Sequence, residues 1–185
     1  MSWLSEYRLD INKYAVRNGG GPLKQVLTQQ GLWVLLQYRV ERALYLSRLP
    51  SLMKRPLQWA SIIWHKGVEI ATGVDFPCTA NIGPGVHLPH CGNIVVHADA
   101  IIGDDCCISQ GVTIGVSGRG QRRGVPTLGN RVYVGVNAVV VGPIVIGDGV
   151  VIGANSLVNR DVPPNCTVLG VPSTVVSQQG SEGYL

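Results

Sequence analysis

Proton transfer at neutral pH needs a side chain that titrates there, and this sequence offers four histidines: His65, His87, His90 and His97. An imidazole, with an ordinary pKa of about 6.5, takes a proton from a hydroxyl and turns a weak nucleophile into a competent one. Three of the four histidines fall between positions 87 and 97, and Cys91 stands directly beside His90. That neighbour opens a covalent alternative in which the thiol attacks first. Asp75, 15 residues before His90, is a carboxylate of the kind that orients an imidazole and stabilises its protonated form. Arg119, Arg122 and Arg123 cluster in a glycine-rich stretch, where guanidinium groups suit phosphate oxygens. A phosphate-binding glycine loop and a dinucleotide fingerprint are both lacking. His, Cys and Asp are not spaced as a ligand set, so no metal is expected.

These residues need a frame, and the sequence supplies one by repetition. Beyond Gly67, aliphatic or aromatic residues recur every six positions at Ile70, Phe76, Ile82, Leu88 and Ile94. They continue at Ile102, Ile108 and Ile114, and again at Leu128, Val134, Val140, Ile146, Ile152 and Val158. Small or branched residues such as Ala80, Ala100, Cys106 and Ala138 precede them by two positions, and Gly follows many of them directly. Six is neither a helix period nor a plain strand period. One short strand and one turn per unit, with three units per coil of about 18 residues, gives a triangular parallel β-helix of four to five coils. The aliphatic residue points inward, and the glycine is expected to meet the backbone demand of the corner.

Two breaks interrupt the ladder. Around His90 to Val96 two extra residues enter. Between Ile114 and Leu128 about eight are extruded, giving a loop over 116–125 that begins just after Gly115. A solenoid spends its regular coils on stacking, so its breaks are where chemistry is expected. Positions 1–66 read as helical: a stripe over 31–49 ended by Pro50, and a short helix over 55–64 opened by Pro56. Trp33, Trp59 and Trp64 read as packing residues, and His65 as structural or interfacial. The expected organisation is therefore a helical segment over 1–66, a β-helix over 67–176 and a flexible tail over 177–185.

The 24 glycines among 185 residues fit regular turns, following neither a collagen nor a linker pattern. The net charge of +4 divides into +7 over 1–66 and −3 over 67–185. The basic helical part suggests an anionic neighbour, such as a membrane surface touched peripherally, or another subunit. No basic stripe with interleaved aromatics runs through the larger part, which excludes nucleic acid. An odd count of five cysteines, no C-x-x-C pair and no signal peptide point to the cytoplasm.

The ladder resembles the hexapeptide-repeat acyltransferases, and within them the serine O-acetyltransferase branch. The stretches that carry this are Gln37–Tyr38–Arg39, Gly67–Val68–Glu69–Ile70, Val74–Asp75–Phe76, Leu88–Pro89–His90, Ile94–Val95–Val96, Gln110–Gly111–Val112–Thr113–Ile114–Gly115 and Gly170–Val171–Pro172. The resemblance implies a left-handed β-helix, acetyl-CoA as the acyl donor, and a homotrimer with active sites between subunits. It places His90 as the catalytic base and Asp75 as its partner. His87, His97 and Pro89 are acceptor-site candidates, and Arg119, Arg122, Arg123, Gly115 and Arg131 are candidates for holding CoA, with Arg160 an alternative. The sequence departs from the branch at Pro89, where an aspartate is the rule, and at Gly124–Val125, where an Arg-His pair is. Its helical part is also short. The expected function is thus acetyl transfer to a hydroxyl of a small molecule or sugar, as in the related polysaccharide O-acetyltransferases. The alternatives are serine O-acetylation, the step from L-serine to O-acetyl-L-serine in cysteine biosynthesis, and a non-catalytic scaffold.

Overall fold

The computed structural model describes residues 2–185. Four helices come first: α1 (Trp3–Asn18), α2 (Pro22–Thr28), α3 (Gln30–Leu46) and α4 (Ser51–Thr72). Ser2 caps α1 by accepting from the Ser5 N–H, and Pro22 opens α2 where its missing N–H is harmless. α4 overruns the expected 55–64 at both ends. It stops at Gly73, which adopts the left-handed conformation (φ 66) and returns its N–H to the Glu69 carbonyl. The boundary expected after residue 66 therefore lies at Gly73. Ile70, read as the first rung of the ladder, is helical and 79% exposed. Its spacing to Phe76 matched the repeat by coincidence.

The strands that follow are β1 (Val74–Asp75), β2 (Asn81–Ile82), β3 (Ile94–Val96), β4 (Ile101–Ile102), β5 (Cys107–Ile108), β6 (Thr113–Gly115), β7 (Thr127–Leu128), β8 (Tyr133–Val134), β9 (Val139–Val141), β10 (Val145–Ile146), β11 (Val151–Ile152), β12 (Leu157–Val158), β13 (Thr167–Gly170) and β14 (Ser173–Ser177). They form three sheets: β1-β3-β6-β9-β12, β2-β4-β7-β10, and β5-β8-β11-β13-β14. Every pairing is parallel except β13 with β14. The chain visits the three sheets in turn, so the expected triangular coil is present. Val96 pairs with Ile114 and Val140 with Val158, each partner one regular coil further on. Ile82 pairs with Ile102, and Ile114 with Val140, so these two coils are longer than the regular ones by two and eight positions, the sizes of the two breaks. Every rung from Phe76 to Val158 is buried, forming one apolar column.

The glycines after the rungs serve a different end from the one expected. A Cβ on Gly103 would lie 2.5 Å from the Gly129 carbonyl oxygen, and one on Gly135 would lie 2.7 Å from the Ala154 nitrogen. Coils stack too closely there for any side chain. The left-handed corner falls two residues later, on Asp105 (φ 58), Asn137 (φ 56) and Asn155 (φ 56), residue types that tolerate it.

The helices close the open end of the first coil. Its backbone groups have no preceding coil to bond, and unpaired buried groups are costly. Tyr38 Oη donates to the Ala80 carbonyl and accepts from the Ile82 N–H, both at 2.9 Å. Arg39 donates to the carbonyls of Ile82 and Gly83, each at 2.6 Å, and Asp10 accepts from the Gly85 N–H at 2.8 Å. Tyr14 Oη accepts from the Leu88 N–H at 2.9 Å and donates to the Leu88 carbonyl at 3.1 Å. The Gln37–Tyr38–Arg39 stretch is thus a lid on the β-helix. At the other end β14 folds back on β13. The tail beyond it is not free, as expected, but docked. Ser181 Oγ donates to the Arg131 carbonyl at 2.6 Å, and Arg17 donates to the Tyr184 carbonyl at 3.1 Å.

Candidate active site

His90 lies on the corner between the third and first sheets, four residues before β3 and inside the two-residue break. Its side chain is exposed and, among the described residues, has no side-chain hydrogen bond or ion pair. The backbone that presents it is firmly held. The Tyr14 clamp grips Leu88, and Gly31 on α3 leaves room for it, since a Cβ there would strike the Tyr14 hydroxyl and Leu88. A polar cleft of about 350 Å³ opens beside His90, lined by Gln29, Gln30, Trp33, Pro89 and Cys91 among others. Pro89 therefore does border the candidate site.

The expected pairing of His90 with Asp75 is absent within one chain. The reason is the break itself. It lengthens the coil that begins at β1, so Asp75 stands in register with Val95, five positions past His90 and around the corner. Asp75 Oδ1 instead meets His65 Nε2 at 3.2 Å, while His65 Nδ1 meets Glu41 Oε2 at 3.0 Å. Gln37 donates to the same Glu41 oxygen at 2.6 Å. Glu69 Oε2 lies 3.9 Å from His65 Nε2 and is paired with Lys66. Donor atoms of His65, Glu69 and Asp75 lie within 4.8 Å of one another, a convergence that spacing along the chain did not indicate. Lys66 already supplies Glu69 with a cation, and the arrangement is an ion-pair network tying α4 to α3 and the first coil.

The Glu41 hydrogen bond, supported by Asp75, raises the His65 pKa above its ordinary value despite partial burial. The folded state thus favours the imidazolium. Its stabilisation is complete below the unfolded value of about 6.5 and is lost as pH rises through the raised folded value. The melting temperature should therefore fall between pH 6 and pH 9 in the native chain, and fall less in His65→Gln. Equal slopes from thermal denaturation at several pH values would remove His65 from this role.

The other candidates separate by position. His87 is buried, with its ring 4.5 Å from Tyr14 and its Nδ1 3.7 Å from Cys107 Sγ. Burial pushes its pKa down to about 4, helped by the charges of Arg17, Lys13 and His90, so it is a neutral core histidine rather than an acceptor-site residue. His97 sits at the far end of β3, where its Nδ1 accepts from the Asp99 N–H at 3.1 Å and its own N–H bonds Ile114 O at 2.8 Å. That places it at the base of the extruded loop, beside Gly115. The loop narrows at a Ser117–Gly124 bridge and carries a 3-10 turn, Gly120–Arg122, with Arg119, Arg122 and Arg123 all exposed. Arg160 stands on the same corner two coils further on. Arg131 does not, because it lies between the second and third sheets under the docked tail. Cys91 is half-buried, and burial pushes its thiol up to about 11, leaving little thiolate for covalent attack at neutral pH. Tyr14, Asp10 and the His65 network were not singled out from the sequence. The i, i+4 pairs Gln37/Glu41 and His65/Glu69 were the available signal.

An exposed histidine on a clamped corner, an arginine-bearing loop on the next corner and coils of three hexapeptides define the class of hexapeptide-repeat transferases. Residues 126–160 match the family model for bacterial transferase hexapeptide (six repeats). The serine acetyltransferase of Helicobacter pylori strain J99 is 37% identical over 153 residues, covering 83% of this chain and 85% of that protein. That of Synechococcus elongatus is 41% identical over 166 residues, 90% of this chain. The chain belongs to the serine acetyltransferase family. It spans 64% of the Synechococcus elongatus protein's length and 48% of its Mycobacterium tuberculosis counterpart. The Neisseria gonorrhoeae serine acetyltransferase (CysE) in complex with serine superposes at a TM-score of 0.80 with 29% identity, over 95% of this chain and 69% of that one. A serine acetyltransferase in complex with CoA gives 0.80 and 28%, over 95% of this chain and 70% of that one.

Proposed function

We propose that this chain is an acetyl-CoA-dependent serine O-acetyltransferase on a left-handed β-helix, with His90 as general base. The observation that carries the chemistry is His90, exposed on a corner that Tyr14 holds rigid, beside a polar cleft. The acceptor reading rests on relatives of 37% and 41% identity, both serine acetyltransferases. They favour L-serine over the sugar acceptor expected from Pro89 and the short helical part, and they lend no support to a role in polysaccharide biosynthesis.

In the reaction, His90 takes the proton of the serine hydroxyl as its oxygen attacks the thioester carbonyl. The tetrahedral intermediate collapses, the C–S bond breaks, and the imidazolium returns its proton to the departing sulfur. The products are O-acetyl-L-serine and free CoA. Within one chain His90 precedes β3 and the arginine loop follows β6, its neighbour in the same sheet, so CoA phosphates held by Arg119, Arg122 or Arg123 would lie on a different corner from the base. A homotrimer that sets the loop corner of one copy against the His90 corner of the next brings both to one substrate.

The test is release of free thiol from acetyl-CoA by the purified chain, with L-serine and a panel of sugars and sugar nucleotides offered separately. L-serine-dependent release is expected. Release that requires a sugar would overturn the acceptor, and silence with every acceptor would overturn the enzyme reading.

A further inference from the structure

Helix α4 is built inside out. At about 100° per residue, Leu52, Met53, Pro56, Leu57, Trp59, Ala60, Ile63, Trp64, Gly67, Ile70 and Ala71 fill a continuous arc of roughly 160° that holds no polar side chain. All eleven are exposed, with Leu52 at 87%, Ile63 at 73% and Trp59 at 70%. The opposite face docks the helix, and it does so largely through polar groups. Lys54 Nζ donates to the carbonyls of Tyr45 and Ser47, each at 2.8 Å, and His65 joins Glu41 and Asp75. Among the described residues, Val68 alone of the apolar side chains of α4 packs against the core. A helix that only supported the coil would turn its apolar arc inward.

We infer that this arc is a docking surface for an anionic lipid bilayer, on which α4 lies in the plane of the interface. The chemistry of its edge selects this occupant. Arg55 and Lys66, both exposed and Lys66 shared with Glu69, border one long side of the arc next to Trp59, and positions 1–66 carry a net charge of +7. Cations at the rim, tryptophans at the boundary and aliphatics at the centre match an interfacial helix that reads acyl chains and anionic headgroups together. A second copy presenting the same face would bring Arg55 and Lys66 against their own kind, and the carboxylate beside them, Glu69, is already engaged by Lys66 and His65 of its own chain. No helix among the described residues is long and apolar enough to cross a membrane, so the contact is peripheral.

The experiment is co-sedimentation of the full chain with vesicles of phosphatidylcholine alone or with about 30% phosphatidylglycerol, at low and high salt, for the native protein, Ile63→Asp and Arg55→Glu. The native chain is expected to bind the anionic vesicles at low salt at least tenfold more than neutral ones, and to release in high salt. Ile63→Asp should lose that binding and Arg55→Glu should weaken it. Both should retain native acetyl transfer to L-serine without vesicles, so a failed acetylation assay and a failed binding assay are read apart. No binding to anionic vesicles, or binding that Ile63→Asp leaves intact, overturns the inference. A fall in solution mass of Ile63→Asp by light scattering, with the native chain indifferent to vesicles, also overturns it and gives the face to a second copy.

Discussion

His90→Ala is expected to lower kcat for acetyl transfer from acetyl-CoA to L-serine by about 10²–10⁴-fold, the usual contribution of a positioned general base. The fold should not register the change. The His90 side chain is exposed and bonds to no other side chain among the described residues, while the corner beneath it is held by Tyr14 through Leu88. Melting temperature and circular dichroism should therefore match the native chain, separating lost chemistry from lost structure. His90→Gln should be as inactive, since it offers hydrogen-bonding groups of similar size with no titration near neutral pH. A residual kcat within tenfold of native in either variant would move the base elsewhere, with the half-buried His97 the next imidazole to test.

The second large effect is on stability. Arg39 and Asp10 meet at 3.0 Å, with side chains 1% and 0% exposed. Burial pushes the Asp10 carboxyl above its ordinary pKa, and Arg39 with the Gly85 N–H offsets only part of that. The pair is thus weak as a source of net stability, yet breaking it leaves the buried Arg39 charge with only the more distant Glu6, at 3.6 Å, to answer it. Asp10→Ala should destabilise the fold by about 3–5 kcal/mol, which for a chain of this size lowers the melting temperature by about 10 °C. It also orphans the Gly85 N–H at the open edge of the first coil. A double variant, Asp10→Leu with Arg39→Met, should recover much of the loss by urea denaturation. Asp10→Ala within about 1 kcal/mol of native would mean that the helical lid contributes little to the β-helix.

Much of the β-helix was legible in the residues. Its period of six, its three-unit coil and both breaks appear in the register of Val96 with Ile114, of Ile82 with Ile102 and of Ile114 with Val140. They were legible because each inward rung is dictated by local strand geometry and by stacking on a like neighbour, so the pattern repeats and can be counted. The helical part was read less well. α4 ran past its expected end at Trp64 to Thr72 and turned its apolar face outward. Periodicity locates an apolar face, but the partner of that face is a matter of three-dimensional packing. Trp59, read as a packing residue, is largely exposed for the same reason.

The sequence by itself determined the coil, the places where it is interrupted, and that His90 and the arginines of 116–125 sit at those interruptions. Only the tertiary structure decided which groups meet. It gave Asp75 to His65 rather than His90, because the two-residue break lengthens that coil and carries His90 five positions out of register. It buried His87 beneath Tyr14, put Arg131 on the wrong corner for the loop, and made Tyr14, Asp10 and Arg39 the lid of the first coil. Rungs are set by neighbours a fixed distance along the chain, whereas these contacts join residues whose separation follows no period, so only the folded chain brings them together.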